Sequence, residues 1–273
     1  MAYINDNKIK GLGGIKRAYL NNTLIFQSFE EYDITAKLNV TSTTEPTSLC
    51  YSSATSSFTE MYVDGVKIDS ASGYTFNTTG EHTVQYMLAD KTKIRNNAFY
   101  RCSGLTSINI IDSVTSIGSS AFNFCTSLTS VTIPNSVTII GTQAFQNCQN
   151  LKSINIPNGL TIINDSTFYF CSRLTSVVIP DSVTRIGDDA LEYCLSLTSV
   201  TIGSGVTSIG NWALEYCRSL TSITCYATKS PTLGGTYVFN DLPTNGTLHI
   251  PQGSDYSTWL SQLPSGWTIQ YIT

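Results

Sequence analysis

The chain has 273 residues, enough for one large domain or two to three smaller ones. Its 41% hydrophobic content is ordinary for a folded protein, but only 12% of residues are charged, about half the usual share, so Ser, Thr and Asn must supply much of the surface. A net charge of -4 gives no general attraction to nucleic acid or anionic lipid, and no apolar run is long enough to span a bilayer.

The N-terminus, MAYINDNKIKGLGGIKRAYL, lacks the basic-then-apolar pattern of a signal peptide. Residues 1–27 read as two or three short strands around GLGG at 11–14. That GLGG reads as a turn and not a phosphate loop, because no Lys-Ser/Thr follows at the required spacing. The phrase IKRAYLNNTLIF is similar to short β segments that open some phage tail-associated proteins. Residues 28–90 alternate as strands do, in DITAKLNV, EMYVDGVKI and GYTFNTTGEHTVQYML, with turns at Asp64-Gly65 and Thr79-Gly80. They predict a small immunoglobulin-like β-sandwich that feeds, without a linker, into the segment TKIRNNAF at 92–99.

From residue 91 the sequence repeats. Cys102, Cys125, Cys148, Cys171, Cys194 and Cys217 are 23 residues apart, and so are the leucines from Leu105 to Leu220 and the isoleucines from Ile94 to Ile209. A fixed period of this kind marks a solenoid, here of about six coils spanning 91–226. Within one coil, Leu128, Val131 and Ile133 alternate as a strand, Pro134 ends it, and Val137 and Ile140 point inward along a second short strand. Then comes Asn96, Ser119, Thr142, Asp165, Asp188 or Asn211 in successive coils. All are helix N-cap types, so a short helical turn is expected to carry Ala144, Phe145 and Cys148 inward, joined by Leu151, Ile154 and Ile156. The cysteines then read chiefly as stacked, buried free thiols. Disulfides between coils are the weaker alternative, because equivalent side chains point in parallel. Metal is weaker still, with no C-x-x-C and two histidines.

The repeat AFNFCTSLTSVTIPNSVTIIG resembles the BspA-like leucine-rich repeat over about residues 91–226. It departs from the common leucine-rich repeat by placing Ser136 where a buried asparagine would stand. The closing GTLHIPQGSDYSTWLSQLPSGWTIQYI is similar to the end of such proteins. It implies a capping segment over 227–273 with a strand at 247–250, Ser254 as helix N-cap, and Tyr256, Trp259 and Trp267 over the open end. The expected fold is mainly β with short helices: a right-handed leucine-rich-repeat solenoid of β/α type behind a small β-sandwich.

The resemblance implies binding or adhesion and no enzyme activity. IGSGV around Ser204 fails the nucleophile-elbow spacing, no Ser-His-Asp set can be nominated, and Asp188-Asp189 reads as a helix start, so no catalytic residue, metal site or cofactor is expected. Two surfaces remain. One is the flat hydroxyl face of the main strands. The other is the edge before the cysteines, where variation concentrates. There Tyr193, Trp212 and Tyr216, with Glu192 and Glu215 beside them and Phe124 and Phe170 earlier in the column, form the candidate partner-binding patch. The expected partner is a protein or a cell-surface glycan, at the cell surface or outside the cell. The alternative is a phage or prophage tail-associated receptor binder on a virion, trimeric if a fibre.

Overall fold

The computed structural model describes residues 17–20, 23–27, 32–50, 57–69 and 74–272. Arg17–Leu20 (β1) and Thr23–Gln27 (β2) pair as an antiparallel hairpin, and the GLGG at 11–14 lies outside the described residues. Next come Ile34–Val40 (β3), Phe58–Val63 (β4), Val66–Ile68 (β5) and Gly80–Leu88 (β6). Asp64 and Gly65 take positive φ, 47° and 81°, and turn β4 into β5 as the Asp-Gly pair predicts.

The coils then alternate a short strand with a longer one: β7 (Lys93–Ile94), β8 (Leu105–Ile110), β9 (Ser116–Ile117), β10 (Ser130–Thr132) and β11 (Ile139–Ile140). The alternation resumes with β12 (Ile162–Ile163), β13 (Ser176–Ile179), β14 (Arg185–Ile186), β15 (Ser199–Ile202), β16 (Ser208–Ile209) and β17 (Ser222–Cys225). It runs on past residue 226: β18 (Thr232–Leu233) pairs with β16 and β19 (Gly246–Pro251) with β17, both parallel, adding a seventh coil. Helix α1 (Ser257–Gln262) and β20 (Trp267–Ile272) close the chain, with β20 parallel to β19.

The N-terminal strands extend the repeat sheet. β3 pairs antiparallel with β6 on one side and with β8, the first long repeat strand, on the other, giving the order β10-β8-β3-β6-β4-β5. Among the described residues, the segment expected as a sandwich forms this one sheet plus a Thr47–Tyr74 bridge. β3 thereby covers the sheet edge that the first coil would otherwise expose. Tyr86 donates to the Leu49 carbonyl at 2.7 Å and meets Phe99 of the first coil edge-on at 5.2 Å.

The stretch holding Ala, Phe and Cys differs from the expected helical turn. Two residues per coil take left-handed backbone, such as Asn97 and Arg101 at 59° and 60°, and Tyr193 at 58°. Each such residue costs roughly 1–2 kcal/mol outside glycine. The compensation is hydrogen bonding between coils. The N–H groups of Asn97, Phe99 and Arg101 donate to the carbonyls of Ser119, Ala121 and Asn123, one coil on, at 3.0, 2.7 and 2.8 Å. The intervening N–H groups of Tyr100 and Cys102 close turns onto Asn97 and Phe99. The cap-type residues serve the next coil and not their own: Asn96, Asp165 and Asp188 accept the N–H of Ser119, Asp188 and Asn211 at 2.9, 3.0 and 2.8 Å.

All eight cysteines are buried free thiols, seven of them in the coils and Cys50 between β3 and β4. Cys125, Cys148, Cys171, Cys194 and Cys217 each donate to a carbonyl 26 residues back, at 3.1, 3.2, 3.2, 3.4 and 3.2 Å. The thiol is thus a small apolar filler and also a tie between coils. Ser136 and Ser182, in the place of the missing asparagine, donate to Val114 and Leu160 one coil back, both at 2.7 Å. Phe99, Phe122, Phe145 and Phe168 stack nearly parallel, with ring centres 5.2, 5.1 and 5.8 Å apart.

Both repeat sheets are interrupted where the third coil meets the fourth. Residues 151–157 form no strand, Ile154 is only partly buried, and β11 does not pair with β12. In the short-strand sheet the interruption coincides with a steric departure. A Cβ at Gly118, Gly141, Gly187 or Gly210 would sit 2.4 Å from an atom of the preceding coil, yet the fourth coil carries Asn164 at this place. Its Nδ2 donates to Ile140 at 2.7 Å, where the glycines use their own N–H.

At the far end, Tyr256, Trp259 and Trp267 are buried. Their polar tips reach Ala227, Pro231 and Pro243 carbonyls at 2.7, 2.9 and 2.8 Å. Helix α1 starts from Tyr256 and not from Ser254; Asp255 accepts the Ser257 N–H at 2.9 Å. Replacing Phe145 by Ala removes a fully buried ring stacked on both sides, and urea denaturation should show a loss of about 3–5 kcal/mol.

Candidate functional site

The left-handed turns aim one residue per coil outward just before each cysteine, or before Leu242 in the seventh coil. The column runs Arg101, Phe124, Asn147, Phe170, Tyr193, Tyr216 and Asp241, each with φ between 55° and 61°. Its aromatic members form two clusters separated by Asn147. In the first, Phe124 meets Tyr100 at 6.2 Å, and the Arg101 guanidinium lies over both rings at 5.2 and 5.6 Å. In the second, Phe170 meets Tyr193 at 5.6 Å and Tyr193 stacks on Tyr216 at 4.4 Å with 14° between the planes. Tyr169 packs edge-on against Tyr193 at 5.8 Å, and Arg218 lies over Tyr216 at 5.3 Å while pairing with Asp241 at 3.3 Å.

The structure therefore brings Phe170, Tyr193, Tyr216, Glu192 and Glu215 together and leaves Phe124 in the other cluster. Trp212 is exposed and stands at the other left-handed position, in the column that holds Asp189 one coil earlier. Glu215 is buried, its Oε1 accepting from Asn240 at 2.6 Å. Sequence reasoning missed Arg218 and the part played by Asp189, whose left-handed turn and contact with Glu192 replace the expected helix start.

Acid is concentrated under these rings. Burial, a hydrogen bond to Asp189 and the charges of Asp189 and Glu215 push Glu192 up to about 8. Asp189 is raised as well, first by burial and then by Asp188 and Asp165. The two carboxyls share a proton near neutral pH and titrate as a pair. An unfolded glutamic acid loses its proton near 4.5, so between about 4.5 and 8 the folded chain holds the extra proton. Stability therefore falls as pH rises through that window.

Elsewhere, His82 bridges Asp64 at 2.7 Å and the Thr78 carbonyl at 3.0 Å, pinning the β5–β6 connection. Ser204 donates through both N–H and Oγ to Asp181. Among the described residues, no group of three His, Cys, Asp or Glu side chains could hold a metal ion, and no helix is long and apolar enough to cross a membrane.

The geometry matches a known repeat class. Residues 92–253 match the BspA type leucine-rich repeat region in six copies, more than half of the chain. The protein belongs to the BspA-type leucine-rich repeat family. Among solved structures, it is similar to a leucine-rich repeat protein from Bacteroides ovatus at 31% identity and a TM-score of 0.51, over 62% of this chain and 43% of that one. The pneumococcal vaccine antigen PcpA shares the fold at 21% identity and a TM-score of 0.55, over 69% of this chain and 46% of that one. A leucine-rich cell surface protein from Faecalibacterium prausnitzii is 28% identical with a TM-score of 0.48, over 66% of this chain and 57% of its own. The chain thus spans less than half the length of the Bacteroides ovatus protein it matches. No curated protein matches the sequence.

Glu192→Gln should raise the thermal midpoint relative to the parent at pH 8, and the difference should close as the pH is lowered toward 4.5. Melting curves across that range check it.

Proposed function

We propose that the protein is a nonenzymatic adhesion module at a cell surface. It recognises a protein partner through the aromatic ribbon of Phe170, Tyr193 and Tyr216, with Trp212 at its margin and Glu192 and Glu215 beneath. The observation that carries this reading is the stack itself. Tyr193 and Tyr216 lie 4.4 Å apart on left-handed residues and remain half-buried, so part of each side chain faces solvent. Rigid aromatic surface beside polar groups is what binding hot spots are made of, because little side-chain entropy is lost on contact. The solenoid holds the ribbon at fixed spacing, which favours an extended partner. The phage-tail alternative draws on IKRAYLNNTLIF, part of which lies outside the described residues.

The test is retention of labelled protein on intact bacterial cells, animal cells and extracellular matrix. At least one surface should retain the parent chain. The Tyr193→Ala/Tyr216→Ala variant should be retained at least about tenfold less, the loss of one hot spot, with its thermal midpoint nearly unchanged. Retention unaltered by the double substitution would contradict the proposal.

A further inference from the structure

A cleft runs along the main-sheet face from the third coil to the sixth. In place of a regular ladder at its third-coil end, the Asn155 side chain bonds both backbone groups of Ile133, accepting its N–H at 3.2 Å and donating to its carbonyl at 2.7 Å. The cleft, of about 510 Å³, is walled by Asn158, Val178, Pro180, Asp181, Thr201 and Tyr226. A second hollow of about 300 Å³ adjoins it, sharing Asn158, Val178 and Pro180. Both fall in the size range of small-molecule sites, about 300–1,000 Å³.

The lining departs from the repeat in one direction. Val178 stands where Thr132, Thr201 and Thr224 stand in other coils, and Tyr226 where Pro134, Pro157 and Pro180 stand. They put 62% exposed valine and 47% exposed tyrosine on a face whose other outward positions are polar, most of them hydroxyls. Gly203, at the same place in the coil between Pro180 and Tyr226, carries no side chain to fill the gap. Around the apolar pair stand an amide, Asn158, a hydroxyl, Thr201, and a carboxylate, Asp181. Asp181 Oδ1 accepts Ser204 N–H at 2.7 Å and Oγ–H at 3.0 Å, which fixes its orientation. The lining contains no Lys, Arg, His or Cys, so nothing in it selects an anion, and its one carboxylate, Asp181, belongs to no group of three His, Cys, Asp or Glu side chains among the described residues.

We infer that this cleft binds a neutral saccharide. A sugar ring offers an apolar C–H face and a rim of hydroxyls, and the cleft offers Tyr226 and Val178 to the first and Asp181, Asn158 and Thr201 to the second. An acidic peptide would find no cationic partner in this lining, and a neutral peptide laid on the edge of β13 is the rival that trialanine tests. This site goes beyond the aromatic-ribbon reading and stands independently of it.

The experiment is saturation-transfer NMR on the full chain with methyl glycosides of glucose, galactose, mannose and N-acetylglucosamine and their disaccharides, with trialanine as comparator. At least one saccharide should show transfer to its ring protons. Tyr226→Ala should reduce that transfer at least tenfold, and so should Val178→Thr, which restores the residue other coils carry and guards against a folding failure in the first variant. Tyr193→Ala/Tyr216→Ala should leave it unchanged, so this site and the aromatic ribbon fail separately. Absence of transfer to every saccharide, transfer to trialanine alone, or transfer that survives both cleft substitutions would overturn the assignment.

Discussion

No coil of this protein can satisfy its own backbone. Each repeat is too short to fold back on itself, so its peptide groups must pair with those of the coils before and after, and the 23-residue period keeps those partners in register. The constraint reaches into the turns, where left-handed residues are accepted because alternate N–H groups then point at the next coil's carbonyls. It also explains the cysteines. At that place the side chain must be small enough for the stack, apolar enough for full burial, and able to donate one bond to a carbonyl in the preceding coil, as Cys148 does to Phe122.

The same constraint makes the surfaces. Residues 23 apart become neighbours, so whatever one coil carries at a position is read alongside the next. Tyr193 and Tyr216 become a stacked pair this way, and Glu192 finds itself beside both Asp189 and Glu215, where burial and like charge keep a proton on the pair. Where the register is disturbed, the surface opens. Asn164 stands in a glycine's place on the short-strand sheet, and on the main sheet a hollow lies against residues 153–156, which form no strand.

Much of this was legible in the sequence. The recurrence of Cys, Leu and Ile gives six of the coils and misses the seventh, which lacks the cysteine, and the alternation Leu128, Val131, Ile133 gives the inward face. The turns were not legible, because a Ser, Asn or Asp ahead of Ala-Phe is also how a helix begins. What decides against a helix is the neighbouring coil, which local sequence does not contain. The fusion of β3 onto β8 was hidden for the same reason: strand alternation reveals faces, not edge partners. The candidate ribbon was half legible. Its residue types stood out, but separation of Phe124 from Phe170 by Asn147, and the pairing of Asp189 with Glu192, appear only once the coils are stacked. Val178 and Tyr226 were visible departures from the repeat that lacked meaning until both lined one cleft.

Counting reactive thiols tests the coil-to-coil account most directly. Burial raises the thiols, Cys50 to about 11 and the repeat cysteines further, and only the thiolate reacts. The native protein should therefore expose none of its eight cysteines to a thiol reagent at pH 8, and all eight should react after denaturation without reductant. Rapid reaction of the repeat cysteines in the native state, or fewer than eight thiols after denaturation, would contradict a stack tied together by buried free thiols.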